Sequence, residues 1–106
     1  MLVGLLTISL HLGAIGSLKD KRKIVKSLTG RLASRFNCSV AEIDAQDSKL
    51  VARIGLAVVA NDGRFLNRQL DLIADFVQRD GRFYVGGVHR EIFTSGDDDY
   101  PLEQRR

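Results

Sequence analysis

Two histidines and a few carboxylates are the side chains that would serve catalysis in this chain of 106 residues. His11 and His89 fall at the ends of expected strands, within reach of Glu42, Asp44 or Glu91. The sequence contains no nucleophile elbow of the acyl-transfer type. Because an isolated histidine on a strand is more often structural than catalytic, we predict no catalytic residue and no enzymatic activity.

The glycine loop after the first expected strand is where a phosphate-binding motif would be found. Gly13 and Gly16 have the spacing of neither a P-loop nor a dinucleotide-binding fingerprint. Cys38 is the single cysteine, so it has no disulfide partner, and no Cys or His cluster surrounds it. We therefore predict no cofactor, no metal and a buried structural thiol at Cys38.

Basic side chains are concentrated in residues 17 to 36. Seven of the sixteen Lys and Arg residues lie there against one acid, Asp20, so this stretch carries +6 and the remainder carries −3 of the net +3. Charge of one sign without i,i+4 acidic partners is typical of a surface that binds a polyanion. A solvated helix face is the alternative interpretation. The RNA-binding candidates are Lys19, Lys21, Arg22, Lys23, Lys26, Arg31 and Arg35.

A helix must position these cations, and the sequence marks where it begins. Ser17 followed three residues later by Asp20 predicts an N-cap with an acidic residue in the first turn. At about 100° per residue, the pattern up to Phe36 places apolar and basic side chains on opposite sides. The apolar side carries Ile24, Val25, Leu28, Leu32 and Phe36, and the side nearest solvent carries Lys19, Arg22, Lys23 and Lys26.

The remaining elements follow from apolar periodicity and turn residues. Strands are expected over residues 2–12, 38–44, 50–60 and 82–94, and a second helix over 64–79, capped by Asn61 or Asp62. The order β-α-β-β-α-β is that of the ferredoxin-like α+β sandwich. Right-handed crossovers predict a four-stranded antiparallel-type sheet in the order 4-1-3-2, with both helices on one face. This domain spans residues 1–94, and residues 95–106 are expected to form a disordered tail.

One core should join both helices to one face of the sheet. On the second helix, Phe65, Leu72 and Phe76 form a lobe beside the main apolar stripe, expected to pack against the first helix or, alternatively, another subunit. Gly86 and Gly87 indicate a bulge in the last strand. The predicted core consists of Ile8, Leu10, Ile24, Leu28, Leu32, Ile54, Leu56, Val58, Leu66, Leu70 and Ile73.

The sheet face without helices should have an apolar middle between polar ends. Such a face favours a cover, and we predict a homodimer through it. A flat face left in water is the alternative, because exposed apolar area is normal on monomers. Strand parity assigns to this face Val3, Leu5, Thr7, Ser9, His11, Val51, Arg53, Gly55, Ala57 and Val59, with Val40, Glu42 and Asp44 at its edge.

Three segments of the chain resemble a known protein family. They are residues 13–22 (GAIGSLKDKR), residues 35–42 (RFNCSVAE) and residues 58–62 (VVAND). These segments resemble the small bacterial YlxP-like family of unknown function, and the resemblance covers roughly residues 1 to 94. The resemblance implies a ferredoxin-like fold, no enzymatic activity, and an association with translation and ribosome-maturation genes.

The expected function depends on what the central strands lack. RNA-recognition modules of this topology stack bases on aromatic side chains of the first and third strands, but residues 2–12 and 50–60 contain no Phe, Tyr or Trp. We therefore predict a non-enzymatic RNA- or ribosome-associated protein that contacts phosphates through the basic face of the first helix. The alternative is a dimeric protein-interaction or small-ligand-binding regulatory domain that uses the open sheet face.

The apolar run at the start of the chain bears on location. Residues 1–12 are too few to span a bilayer, are interrupted by Gly4, Thr7, Ser9 and His11, and follow no basic segment. We therefore predict no membrane association and a cytoplasmic protein.

Overall fold

A computed structural model of the chain describes residues 1–13, 16–44 and 48–95. The strands are β1 (Leu2–His11), β2 (Ser39–Asp44), β3 (Val51–Ala60) and β4 (Tyr84–Thr94), and the helices are α1 (Leu18–Arg35) and α2 (Gly63–Gln78). All pairings are antiparallel, and the sheet order β2-β3-β1-β4 is the predicted order read from the other edge. Both helices pack on one face of this sheet, which confirms the ferredoxin-like α+β architecture.

Parts of the predicted chain organisation lie outside the described residues. They are positions 14–15 of the first loop, positions 45–47 of the connection between β2 and β3, and positions 96–106 of the expected tail. Within the described part of the chain, no helix is long and apolar enough to cross a membrane.

Both helices begin at side-chain caps. Ser17 has an extended backbone (φ −159°), and its Oγ accepts a hydrogen bond of 3.1 Å from the backbone N–H of Asp20. At the second helix, the Asp62 carboxylate accepts a 3.0 Å hydrogen bond from the backbone N–H of Phe65. Each bond satisfies an N–H that the first turn of a helix leaves without a partner. Asp62 rather than Asn61 therefore caps α2.

The core lies between the helices and the even-numbered side chains of β1 and β3. Leu28 is fully buried at its centre, and Ile24 is half-buried at its rim, so the predicted core is confirmed except at Ile24. Gly4 lets the side chains of α2 pack directly on the backbone of β1, because a Cβ at this position would lie 2.8 Å from Leu70 Cδ1. The buried apolar residues are Leu6, Ile8, Leu10, Leu12, Val25, Leu28, Leu32, Ala52, Ile54, Leu56, Val58, Leu66, Leu70, Ile73 and Val77.

The predicted bulge in β4 is at Gly86. Ser9 pairs with Gly87 and Leu10 pairs with Val85, so Gly86 is the extra residue of the longer strand. A Cβ on Gly86 would clash with the His11 ring, so a side chain at this position would displace that ring.

A second bulge, in β2, overturns part of the parity prediction. Glu42 pairs with Ile54 and Asp44 with Arg53, which leaves Ile43 as the extra residue. A bulge reverses which face the next side chain points to, so of Val40, Glu42 and Asp44 only Asp44 lies on the open face. The prediction for Val40 and Glu42 was wrong. Both point toward the helices, Val40 opposite buried Leu56 and Glu42 opposite buried Ile54.

The apolar lobe of α2 meets α1 at a single ring. Phe76 is half-buried and stands edge-on to Phe36, with ring centroids 5.7 Å apart and planes at 79°. Phe65 and Leu72 remain exposed. The predicted contact of the lobe with α1 therefore holds for Phe76 alone.

Candidate functional site

Four cations form a line along the outer face of α1, here called the cationic row: Lys19, Arg22, Lys23 and Lys26. Their i, i+3, i+4, i+7 spacing places them on one helix face over about 10 Å. All four are exposed, and none forms an ion pair with any residue that the structure describes. Their positive charge is therefore not neutralised by the protein itself.

Lys21 lies on the opposite side of the same helix. Its side chain is only 1% exposed, so its prediction as a phosphate-binding cation was wrong. The Nζ donates a hydrogen bond of 2.8 Å to the Ser48 carbonyl oxygen and lies 3.2 Å from Glu42 Oε2. Lys21 precedes Val25 by one turn on the buried stripe, so its alkyl stem extends the core while its charge meets a carboxylate from β2.

The ion pair between Lys21 and Glu42 fixes α1 over the edge strand β2. The 3.2 Å contact is ionic rather than a directed hydrogen bond, since Glu42 Oε2 has no aligned donor among the described residues. Next to it, Arg22 and Lys26 line a surface groove between α1 and β2 that also includes the Glu42 side chain. Lys21 thus offsets the charge of the carboxylate that lies beside the cationic row.

Arg31 and Arg35 occupy a third side of α1, the side facing α2. Their guanidinium carbons lie 5.1 and 5.2 Å from the centroid of the Phe76 ring, within the range of a cation–π interaction. Arg31 Nη1 also lies 3.6 Å from Asp80 Oδ2. The structure therefore separates these two arginines from the cationic row and places them at the contact between the helices.

Asp80 and Arg82 form a clasp after α2 that the sequence analysis did not predict. The Asp80 carboxylate accepts hydrogen bonds from the Arg82 backbone N–H, Nε and Nη2 at 2.9, 2.9 and 2.6 Å. These bonds, foremost the side-chain one, hold the pKa of Asp80 below its ordinary value and raise the pKa of Arg82. Arg82 Nη1 also donates to Ser27 Oγ at 3.2 Å, which fastens the clasp to α1.

The two histidines lie on the open sheet face but do not share a site. His11 stands beside Tyr84, with ring centroids 6.1 Å apart, and His89 Nε2 lies 3.4 Å from Glu91 Oε2. His89 is opposite Thr7, four residues from His11 along β1, a separation of about 13 Å. Within the described segments there is also no group of three His, Cys, Asp or Glu side chains placed to hold a metal.

Cys38 is half-buried just before β2. Its Sγ lies 3.8 Å from the Leu32 carbonyl oxygen as a weak donor. Burial raises the pKa of this thiol. Because the thiolate is the nucleophilic form, the raised pKa makes Cys38 a poor nucleophile at neutral pH.

Two aromatic side chains on the open face were missed by the sequence analysis, which considered only the central strands. Phe93 lies opposite Val3 and Tyr84 opposite His11, both at the β4 edge of the sheet. Both rings are exposed. Side chains of a strand alternate between the two faces, and this alternation near Thr94 would have placed Phe93 on the open face. The bulge at Gly86 shifts the alternation by one residue, so the same rule gives the wrong face for Tyr84.

The fold and its two contrasting surfaces define a ferredoxin-like α+β protein with a cationic helix layer. The chain belongs to the family described as "Protein of unknown function (DUF503)", whose model matches residues 3–90. It is also similar to "Uncharacterized protein YlxP" of Bacillus subtilis (strain 168), with 32% identity over 62 residues, 58% of this chain and 67% of that protein. The predicted membership of a YlxP-like family is thereby confirmed.

Proposed function

We propose that the protein is a non-enzymatic RNA-binding protein, acting on structured RNA alone or within a ribosomal particle, and that the cationic row contacts the phosphates. The observation that carries the proposal is four exposed cations on one helix face without an acidic partner among the described residues. By contrast, six of the other described Lys and Arg side chains are in ion pairs: Lys21, Arg31, Arg53, Arg79, Arg82 and Arg90.

The dimensions of the row suit a regular polyanion. Its length of about 10 Å is on the scale of a few successive phosphates along a nucleic-acid strand. Lys19 lies in the first turn of α1, where the backbone N–H groups and the helix dipole also favour negative charge. A row of point charges and guanidinium groups reads phosphates rather than bases. We therefore expect tight binding at low salt with little sequence preference.

The other parts of the proposal follow from the same chemistry. β1 and β3 present no Phe, Tyr or Trp ring on the open face, which disfavours base stacking at the centre of the sheet. The translation association implied by the family resemblance supports ribosomal RNA as the first RNA to test. Such a partner would place the protein in the cytoplasm.

A titration of a fluorescent ribosomal RNA hairpin by anisotropy tests the proposal with two matched variants. The row variant replaces all four cations of the row by Gln, which keeps helix propensity. A control variant removes four exposed cations elsewhere, so that both variants lower the net charge from +3 to −1. The control replaces Lys49, Arg64, Arg68 and Arg79 by Gln.

The expected results separate a binding surface from general charge. Four phosphate contacts give a log–log salt slope of about −3 to −4 for the wild type, and the row variant should lose at least about 100-fold in affinity at low salt. The control should keep most of the wild-type affinity and slope. Equal affinities of the row variant and the wild type, or equal losses in both variants, would show that the row is only a solvated face.

A further inference from the structure

The open sheet face has an apolar end that no element of the described chain covers. Val59, Val3 and Phe93 lie side by side across β3, β1 and β4, and Ala57 and Leu5 form the next row. Phe93 is 51% exposed. These neighbouring rows make a continuous apolar patch of the kind that marks a protein interface rather than a scattering of single exposed side chains.

The surface of the open face is uneven, with a depression next to projecting side chains. Small residues, Ser39, Ala41, Gly55 and Ala57, form the floor of a depression of about 270 Å³ that Leu5 helps to wall. The exposed side chains of Ile43, beside Gly55, and of Val59, next to Ala57, project at its borders. A surface that carries both projections and a hollow can be complementary to itself, which is the requirement for a two-fold symmetric interface.

The open face carries no excess of positive charge. Arg53 Nη1 lies 2.9 Å from Asp44 Oδ2, and His89 faces Glu91 at 3.4 Å. Such a face has little attraction for a polyanion, in contrast to the cationic row on the other side of the molecule. Its partner should therefore be neutral and apolar, and a second copy presents a surface with that composition.

The extent of the face agrees with the size of a stable interface. Four strands about 4.8 Å apart and about ten residues long give roughly 600 Å² of sheet before side-chain relief is added. A standard interface buries about 800 Å² on each partner. Contact over the whole face is thus enough for a stable dimer.

We infer that the open sheet face binds the same face of a second copy, giving a two-fold dimer whose layers run helices, sheet, sheet, helices. With layers about 10 Å apart, the two cationic rows lie on opposite outer surfaces, about 30–40 Å from each other. The dimer then holds two RNA segments at once, a consequence that rests on the proposed function. The dimer itself does not depend on RNA.

Sedimentation equilibrium from micromolar to millimolar protein tests the interface with a matched pair of variants. Phe93→Glu places a charge in the apolar row of the open face, whereas Phe65→Glu changes the same residue type, at 52% exposure, on the helix side. The wild type and Phe65→Glu should sediment as dimers. Phe93→Glu should raise the dimer dissociation constant at least about 30-fold, the effect of losing a hot-spot residue.

A second variant keeps the test valid if Phe93→Glu fails to fold, as judged by circular dichroism. Val59→Arg charges the same row from β3, and it should weaken the dimer to a similar degree. A wild type that stays monomeric at millimolar concentration overturns the inference. The inference also fails if the wild type is a dimer that Phe65→Glu dissociates and that Phe93→Glu and Val59→Arg do not. Because mass is measured without RNA, the outcome is independent of the RNA-binding test.

Discussion

The helix side and the sheet side of this molecule differ in how their charges are compensated. On α1, the row from Lys19 to Lys26 has no acidic partner among the described residues, whereas on the open face Arg53 is paired with Asp44. A net charge of +3 therefore describes neither side. The distribution of charge over the two sides is therefore more informative than the net charge. It indicates that a polyanion would bind the helix side and that an apolar partner would cover the sheet side.

The same contrast exists within α1 between two lysines. Lys21 is buried against Glu42, and Lys23, two residues later, is exposed. Their intrinsic chemistry is identical, so their roles differ only by about 200° of rotation around the helix axis. Lys21 holds the helix in place, and Lys23 is available to a partner.

The largest expected effect comes from removing the core that supports both surfaces. Leu28 is fully buried where α1 meets the sheet, and Leu28→Ala should lower the free energy of unfolding by about 2–5 kcal/mol. Chemical denaturation measures this change, and RNA binding and dimer formation should decline with the folded fraction. A loss below about 1 kcal/mol would contradict the central position of Leu28.

The second prediction compares the two lysines directly. Lys21→Ala leaves Glu42, which is 19% exposed, without its counter-charge, and should cost about 3 kcal/mol of unfolding free energy. Lys23→Ala should change stability by less than about 0.5 kcal/mol, as exposed substitutions usually do. Urea unfolding of both variants and the wild type gives the comparison. Equal stabilities of the two variants would contradict the buried ion pair.

The smallest predicted effect concerns the clasp at the end of α2. Asp80→Asn removes the charge that holds Arg82, and the partial exposure of Arg82 limits the loss to about 1 kcal/mol at neutral pH. Because the folded state lowers the pKa of Asp80, its contribution is complete above the ordinary aspartate pKa. The difference in stability between wild type and variant should therefore shrink below about pH 4. A difference that grows with acidification would contradict the assigned direction of the shift.

Much of the fold could be predicted because it depends on the periodicity of apolar residues and on cap residues, which are read from short stretches of sequence. The cap at Ser17, the buried apolar stripes of both helices and the alternation of β1 and β3 depend on local chemistry, and all were predicted from the sequence. The cap of α2 was predicted as either Asn61 or Asp62, and it is Asp62. The bulge at Ile43 could not be predicted, because no glycine marks it and it is defined only by pairing with β3.

The candidate site was less predictable than the fold for a related reason. The four cations of the row were identified correctly as the solvent side of α1, since helical periodicity alone places them there. The burial of Lys21 required knowledge of Glu42, which β2 brings to it from 21 residues away in sequence. The engagement of Arg31 with Phe76 and Asp80 likewise depends on how α2 packs beside α1.

One paired measurement tests the central claim that the two sides of the molecule serve different partners. The row variant and Phe93→Glu are each titrated with an RNA hairpin too short to reach both rows of a dimer, and the mass of each protein is measured without RNA. We predict that the row variant remains a dimer and loses at least about 100-fold in RNA affinity, whereas Phe93→Glu becomes a monomer and binds the hairpin with unchanged affinity. A row variant that binds the hairpin as tightly as the wild type would contradict the account.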